Sequence, residues 1–236
     1  MKIPTQRISF DRIFRIIADK FPPIGLFERI ADPSEWDDLL ALEALTGDPM
    51  SERMRDQLAR IAIADRYTGT LAGRVMAPFV LLDQLGGGRF SNADFGAYYA
   101  GDAFETAVLE TVFHAERFLR DGMVTEPQDL PRILILASIS GELHDIRELQ
   151  SALPEVYTTG TDYVRSQAFA IQLINDDGSQ GIIYSSVRRP NGQCVAVFRP
   201  ALLQDAFEHE RRFMYRWNGE KVSGLFFVDE FRDLPS

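Results

Sequence analysis

Apolar residues recur every three or four positions in one long stretch of the chain, residues 102–122, which predicts an amphipathic helix. Asp102 is the predicted N-cap, because its side chain can accept free backbone N–H groups while Glu105, three residues on, completes a capping box. Gly122 is the predicted left-handed residue that ends the helix. The predicted apolar face consists of Phe104, Val108, Val112, Ala115 and Leu119.

Other segments show either the apolar spacing of a helix or the residue types that are common in strands. Helical spacing predicts further helices at residues 34–47, 51–69 and 160–176. Runs rich in β-branched and aromatic residues predict strands at residues 77–85, 96–100, 132–139, 181–189 and 193–200. Arg189 to Gly192, with the sequence RPNG, predicts a hairpin turn between the last two strands. From Leu202 onward the chain predicts a short helix and a turn at Asn218 and Gly219.

This mixed order with hairpins is typical of an α+β fold, with a largely antiparallel β core flanked by helices. The chain has 236 residues, of which 45% are hydrophobic and 25% are charged, as in an ordinary globular protein. We expect a single domain over residues 1–236. Its core would span about 70–205, after an N-terminal helical extension at about 1–70 and before a short C-terminal tail.

Charge and cysteine content narrow the functional classes. The net charge of −10 argues against a general nucleic-acid-binding protein, because no broad basic face would offset phosphate charge. No apolar run reaches the ~18 residues that a membrane span requires. The single cysteine, Cys194, fits a reducing compartment. We therefore expect a cytoplasmic protein without membrane or direct nucleic-acid contacts.

Residues 86–110, with the sequence GGGRFSNADFGAYYAGDAFETAVLE, bring several chemically capable side chains close together. Arg89 follows three glycines, which let the backbone approach a ligand while the guanidinium binds a phosphate. On these residues alone, a turn with a surface arginine is the simpler interpretation. Tyr98 and Tyr99 are neighbours in a predicted strand and must face opposite sides, so one can pack in the core and the other can line a cleft.

Glu110 lies among apolar residues of the predicted helix, where a carboxylate is costly without a partner or a task. A salt bridge to a nearby arginine is the alternative. His114 follows four residues later on the same face and can orient this carboxylate, although a surface or core histidine explains it equally well. Ser185 or Ser186 can present a hydroxyl into the same cleft.

Two common kinds of catalytic site lack support in the sequence. The three histidines, at positions 114, 144 and 209, have no metal-ligand spacing among themselves or with Cys194, so we expect no metal site. The G-x-S-x-G motif of serine hydrolases does not occur. Cys194, in a predicted strand, is best explained as a small buried hydrophobic residue.

The residues singled out above match one family pattern. The sequence resembles the RES-domain proteins, toxins of toxin–antitoxin pairs that are related to the ADP-ribosyltransferase fold. The family's G-G-R-[FW] motif, a tyrosine ten residues later and a glutamate eleven residues beyond are matched by Arg89, Tyr99 and Glu110. Its S-[VA]-R motif makes Ser186 the matching serine. The resemblance covers residues 10 to 205, with Cys194 where many members have asparagine.

The resemblance implies an ADP-ribosyltransferase-like fold and NAD+ as a substrate, with no further cofactor. The nicotinamide–ribose bond would be cleaved, with water, phosphate or a protein side chain as acceptor. Glu110 would stabilise the cationic ribose and Arg89 would bind the pyrophosphate. Tyr99 would contact the nicotinamide, and Ser186 the ribose or the nicotinamide amide. His114 would support the same pocket.

Three activities are compatible with this pattern. An NAD+ glycohydrolase or phosphorylase is the first, an ADP-ribosyltransferase acting on a specific protein is the second, and a catalytically silent binding module is the third. The resemblance further implies a protein partner, an Xre-like antitoxin that covers the cleft or its entrance.

Overall fold

The computed structural model describes residues 2–19, 35–44, 49–82 and 87–228. Its helices are α1 Trp36–Ala44, α2 Pro49–Leu58, α3 Ala72–Val80, α4 Phe104–Asp121 and α5 Val164–Asp177. Its strands are β1 Thr5–Ala18, β2 Tyr98–Gly101, β3 Gln128–Asp145, β4 Gly181–Ser185, β5 Gln193–Val197, β6 Leu203–Glu208, β7 Arg212–Trp217 and β8 Val222–Val228. The α+β prediction is confirmed.

The strands form one eight-stranded sheet in which a set of five closes on itself. Strand β1 pairs with β3 along almost its whole length, and at its other edge with β2. The ring continues from β2 to β5, to β4 and back to β3. Among the described strands only β3 and β4 pair in parallel, so the sheet is largely antiparallel, as predicted.

Strand β1 corrects the expected helical extension at the N-terminus. Residues 5–18 are not helical, because every second or third residue is apolar and a bulge between Phe10 and Ile13 shifts the strand's register. On one face Ile13 packs in the core beneath α1 to α3, and on the other Ile16 packs in the core beneath α4. A strand buried on both faces in this way lies at the centre of the fold.

Other segments also differ from the sequence-based expectation, and the helix predicted over residues 51–69 ends at Leu58. Residues 77–80, predicted as part of a strand, belong to α3, which is buried almost all round and so has no polar stripe to mark a helical period. The expected helix after Leu202 is wrong, because the segment forms β6 and the hairpin of β7 and β8. The predicted turn is confirmed: the Asn218 amide donates to the Lys221 carbonyl, and Gly219 has φ +98°.

Helix α4 has the predicted span and apolar face but different ends. Its N-cap is Ala103, without a side-chain cap, because the Asp102 carboxylate accepts from the Thr106 hydroxyl at 2.6 Å instead. At the other end Gly122 has φ −79°, and Met123 takes the left-handed conformation with φ +52°. The predicted apolar face does pack on the sheet: Leu119 is buried, and Phe104, Val108, Val112 and Ala115 are partly buried.

Candidate active site

A cavity of about 150 Å³ lies where α4 crosses β1, β2 and β5. Its lining includes residues of the core beneath α4 and residues of the core beneath α5. The lining residues that carry polar groups are Arg15, Arg89, Tyr99, Glu110, Thr111, His114, Tyr163, Tyr184 and Cys194. Three of the residues predicted from sequence, Arg89, Tyr99 and Glu110, and His114 with them, therefore surround one space.

Glu110 is held in this cavity by a short hydrogen bond. The Ser186 hydroxyl donates to Glu110 Oε1 at 2.6 Å, and the Cys194 thiol lies 3.8 Å from the same oxygen. Ser186 follows the last residue of β4, and its Oγ accepts from the backbone amides of Arg188 and Arg189 at 3.1 and 3.0 Å. The turn thus fixes the hydroxyl, and the hydroxyl fixes the carboxylate.

Tyr99 holds the glycine-rich turn in place. Its hydroxyl accepts from the Phe90 amide at 2.7 Å and lies 3.0 Å from the Ser91 hydroxyl. Burial raises the Tyr99 pKa to about 12, so the phenol stays protonated. Gly88 packs against the ring, where a Cβ would lie 2.7 Å from the Tyr99 oxygen. The neighbouring Tyr98 is fully buried on the opposite side of the strand, so the predicted division between core and cleft is confirmed.

Arg89 is 7% exposed and already binds protein groups. Its guanidinium donates to the carbonyls of Val156 at 2.6 Å and Thr158 at 2.9 Å, and lies 5.2 Å from the centre of the Tyr163 ring. A guanidinium has five N–H donors. Two of them are used here, so Arg89 anchors the loop before α5 while it also presents positive charge to the cavity.

Arg15 was not singled out from the sequence. One guanidinium nitrogen donates to the Tyr99 carbonyl at 3.0 Å, and the group lies 4.6 Å from the centre of the Tyr98 ring. Its Nε is buried and has no hydrogen-bond partner among the described residues. Burial lowers the Arg15 pKa, yet a guanidinium remains charged at neutral pH. The available signal was a lone arginine inside the apolar run IFRIIA.

His114 lies on the solvent-exposed rim, one turn of α4 beyond Glu110. Partial loss of hydration against the neighbouring groups, together with the charges of Arg188, Arg117 and Arg89, lowers the His114 pKa to about 4. The Arg188 guanidinium stacks 3.4 Å from the centre of the Phe113 ring and donates to the Thr159 carbonyl at 2.6 Å. At neutral pH the imidazole is uncharged and the rim owes its positive charge to arginine.

Within residues 2–19, 35–44, 49–82 and 87–228, no group of three or more His, Cys, Asp or Glu side chains has an arrangement that holds a metal ion. Over the same residues, none of the helices combines the length and apolar character needed to cross a membrane.

Comparison with known proteins supplies the family. The sequence profile described as "RES domain" matches residues 57–218. The chain belongs to the RES domain family. An uncharacterized protein, y4oC, from Sinorhizobium fredii is 24% identical over 226 residues, covering 93% of this chain and 89% of that protein. A chain of the M. tuberculosis MbcT–MbcA toxin–antitoxin complex is 13% identical, with a TM-score of 0.42, covering 87% of this chain and 86% of that one.

The matched RES domain span contains every polar residue named above as part of the site except Arg15. Arg89, Tyr99, Glu110 and Ser186 lie inside residues 57–218, whereas Arg15 precedes them. Strand β1 therefore adds to the RES domain site a cation from a segment that the profile does not cover.

Proposed function

We propose that this protein is a toxin enzyme that cleaves the nicotinamide–ribose bond of NAD+, as a glycohydrolase or a phosphorylase. The observation that carries the proposal is the Glu110 carboxylate, held by the Ser186 hydroxyl at 2.6 Å and facing a cavity that Arg15 and Arg89 also line. One fixed negative charge within positive surroundings suits a substrate that carries both signs.

The chemistry requires a carboxylate in this position. Departure of neutral nicotinamide leaves positive charge on the ribose, an oxocarbenium-like state that a fixed carboxylate stabilises. Water or phosphate then bonds to the same carbon, and with water the products are nicotinamide, ADP-ribose and one proton. Because Ser186 orients Glu110 before the substrate arrives, little reorganisation is needed as the charge develops.

The other end of the substrate is anionic. Arg15 and Arg89 both line the cavity, and each keeps N–H donors that protein groups do not use. Arginine binds phosphate oxygens through parallel hydrogen bonds. We assign the pyrophosphate of NAD+ to this pair of arginines.

The first prediction tests Glu110. Glu110→Gln keeps the size of the side chain but removes its charge, so NAD+ turnover should fall by about 100- to 1,000-fold while the protein stays folded. Purified protein is incubated with NAD+, with and without phosphate, and nicotinamide and ADP-ribose products are followed by chromatography. Glu105→Gln, at an exposed position on the same helix, is the matched control.

The products distinguish the alternatives. Free ADP-ribose indicates a glycohydrolase, a phosphorylated product that needs phosphate indicates a phosphorylase, and ADP-ribose attached to protein indicates a transferase. Normal NAD+ consumption by Glu110→Gln would refute the assigned role. No turnover by the wild-type protein under any condition would favour the silent binding module.

By the family resemblance, we further propose an Xre-like antitoxin that covers the cleft or its entrance. Expression of this chain should arrest growth, and co-expression with such a protein encoded beside it should restore growth. Failure of the two proteins to co-purify even at low salt would count against the pairing.

A further inference from the structure

The active-site cavity continues into a much larger groove. The groove has a volume of about 900 Å³ and runs along α4 toward its C-terminal end, above the ends of β1 and β3. Ile16, Thr111 and His114 line both the cavity and the groove. A ligand that enters the groove therefore passes the His114 rim and reaches Glu110 without leaving the protein surface.

The groove has apolar walls and a polar far end. Its floor and sides are mainly aliphatic and aromatic, and they include Ala115, Phe118, Leu119, Val124 and Leu130. At the far end lie Asp19, Gln128, Asp129 and Arg132. Asp19 pairs with Arg212 at 2.7 Å and Asp129 with Arg216 at 3.0 Å, which fixes both carboxylates in place.

The volumes of the cavity and of the groove indicate which of them can hold most of a ligand. Pockets for small ligands and cofactors usually measure ~300–1,000 Å³. The cavity at Glu110, about 150 Å³, is below that range, whereas the groove, about 900 Å³, is within it. If the nicotinamide ribose lies at Glu110, the rest of a dinucleotide must lie elsewhere.

We propose that the groove binds the adenosine half of NAD+. The inference rests on the proposed function and adds a subsite to it. Arg15 comes directly before Ile16, at the junction of the two spaces, where the pyrophosphate joins the two halves of the substrate. An apolar wall suits the faces of a purine.

The polar far end matches the edges of adenosine. The adenine amino group and the ribose hydroxyls are donors, and the paired carboxylates of Asp19 and Asp129 keep lone pairs that can accept from them. The side chains of an apolar protein segment would offer no donor to the remaining lone pairs of these two carboxylates. The arrangement therefore favours a nucleotide.

The test blocks the groove without touching the cavity. Ala115 lines only the groove, so Ala115→Trp should fill it. We expect at least about tenfold weaker binding of ADP-ribose in calorimetry, and a similar rise in KM for NAD+. Cleavage of nicotinamide mononucleotide, which keeps the scissile bond but lacks the adenosine half, should be unchanged. Ile63→Trp, at a position that is 53% exposed and lines neither space, is the control.

A second variant keeps the test valid if Ala115→Trp does not fold. Gln128 is exposed at the start of β3 and lines the same groove, so Gln128→Trp should have the same effect. Wild-type ADP-ribose affinity in a folded groove variant would overturn the subsite, as would loss of antitoxin binding alone. Binding of ADP-ribose by a wild-type protein that does not cleave NAD+ would refute the proposed activity. Loss of this ADP-ribose binding in the groove variants would still support the subsite.

Discussion

Arg15 and Arg89 differ in how much of each guanidinium is committed to the protein. Arg89 donates to two carbonyls of the loop before α5, whereas Arg15 donates to one carbonyl and has a buried Nε without a partner among the described residues. Arg15 therefore has fewer hydrogen bonds to protein groups than Arg89.

The second prediction concerns Arg15. Arg15→Gln should raise KM for NAD+ by about 10- to 100-fold, the loss of a charged hydrogen bond, with a smaller effect on kcat. Arg12→Gln, at an exposed position of the same strand, should leave both constants unchanged. Initial rates over a range of NAD+ concentrations give both constants. A KM for Arg15→Gln within twofold of wild type would remove Arg15 from the site.

The third prediction concerns Arg89. Arg89→Ala deprives the Val156 and Thr158 carbonyls of their donor, so the free energy of unfolding should fall by about 2–3 kcal/mol and KM should rise as well. Urea denaturation followed by fluorescence measures the stability. An unchanged denaturation midpoint would mean that the loop holds its conformation without this arginine.

At the scale of elements, the glycine-rich turn depends on contact between Gly88 and Tyr99. The fourth prediction is that Gly88→Ala destabilises the protein by about 1–3 kcal/mol and lowers turnover, because the new Cβ would overlap the Tyr99 ring. Gly224→Ala in β8, where a Cβ meets nothing within 4 Å, is the matched control. Equal denaturation midpoints for the two variants would contradict the prediction.

The sequence predicted the elements whose period is clear and local. Helix α4 and the β4–β5 hairpin followed from apolar spacing and an RPNG turn. Residues 77–80 were mistaken for a strand because a short, mostly buried apolar run does not distinguish strand from helix. Strand β1 was missed because a bulge breaks its alternation, and its partner β3 lies more than a hundred residues away.

The site residues, like the helices and strands, were predictable where the signal is local in the sequence. Spacing within short segments was enough to predict Arg89, Tyr99, Glu110 and Ser186. In the structure Arg89 and Tyr99 line the same cavity as Glu110, and Ser186 is hydrogen-bonded to Glu110. The position of Arg15 depends on the pairing of β1 with β3 and on its contact with β2, which no local pattern contains. The double role of Arg89 likewise depends on a loop some seventy residues later.

At the scale of the whole molecule, two histidines resist protonation. The His114 pKa is lowered to about 4, and burial lowers the pKa of His144, which bonds to Ser179 through Nδ1 at 2.8 Å. A histidine with a lowered folded-state pKa binds fewer protons folded than unfolded, so stability rises with pH between the folded and unfolded values. For His114 that window runs from about pH 4 to pH 6.5.

The fifth prediction follows from this window. The free energy of unfolding should decrease as the pH falls from 6.5 toward 4, and His114→Gln should make the decrease shallower. Urea denaturation at several pH values measures the free energy of unfolding for the wild-type protein and for His114→Gln. Identical slopes would show that the His114 pKa is unperturbed.

The closed ring of strands also determines when the protein can complete its folding during synthesis. Thr5 pairs with His144, and the ring is complete only when β5, which ends at Val197, has joined β2. Such long-range pairings form slowly, and a chain leaves the ribosome from its N-terminus. Arg15 emerges early but meets Glu110 and Ser186 only after most of the chain has been translated. The proposed cleavage of NAD+ therefore becomes possible only after synthesis and folding of nearly the whole sheet, so the proposed activity lags behind translation.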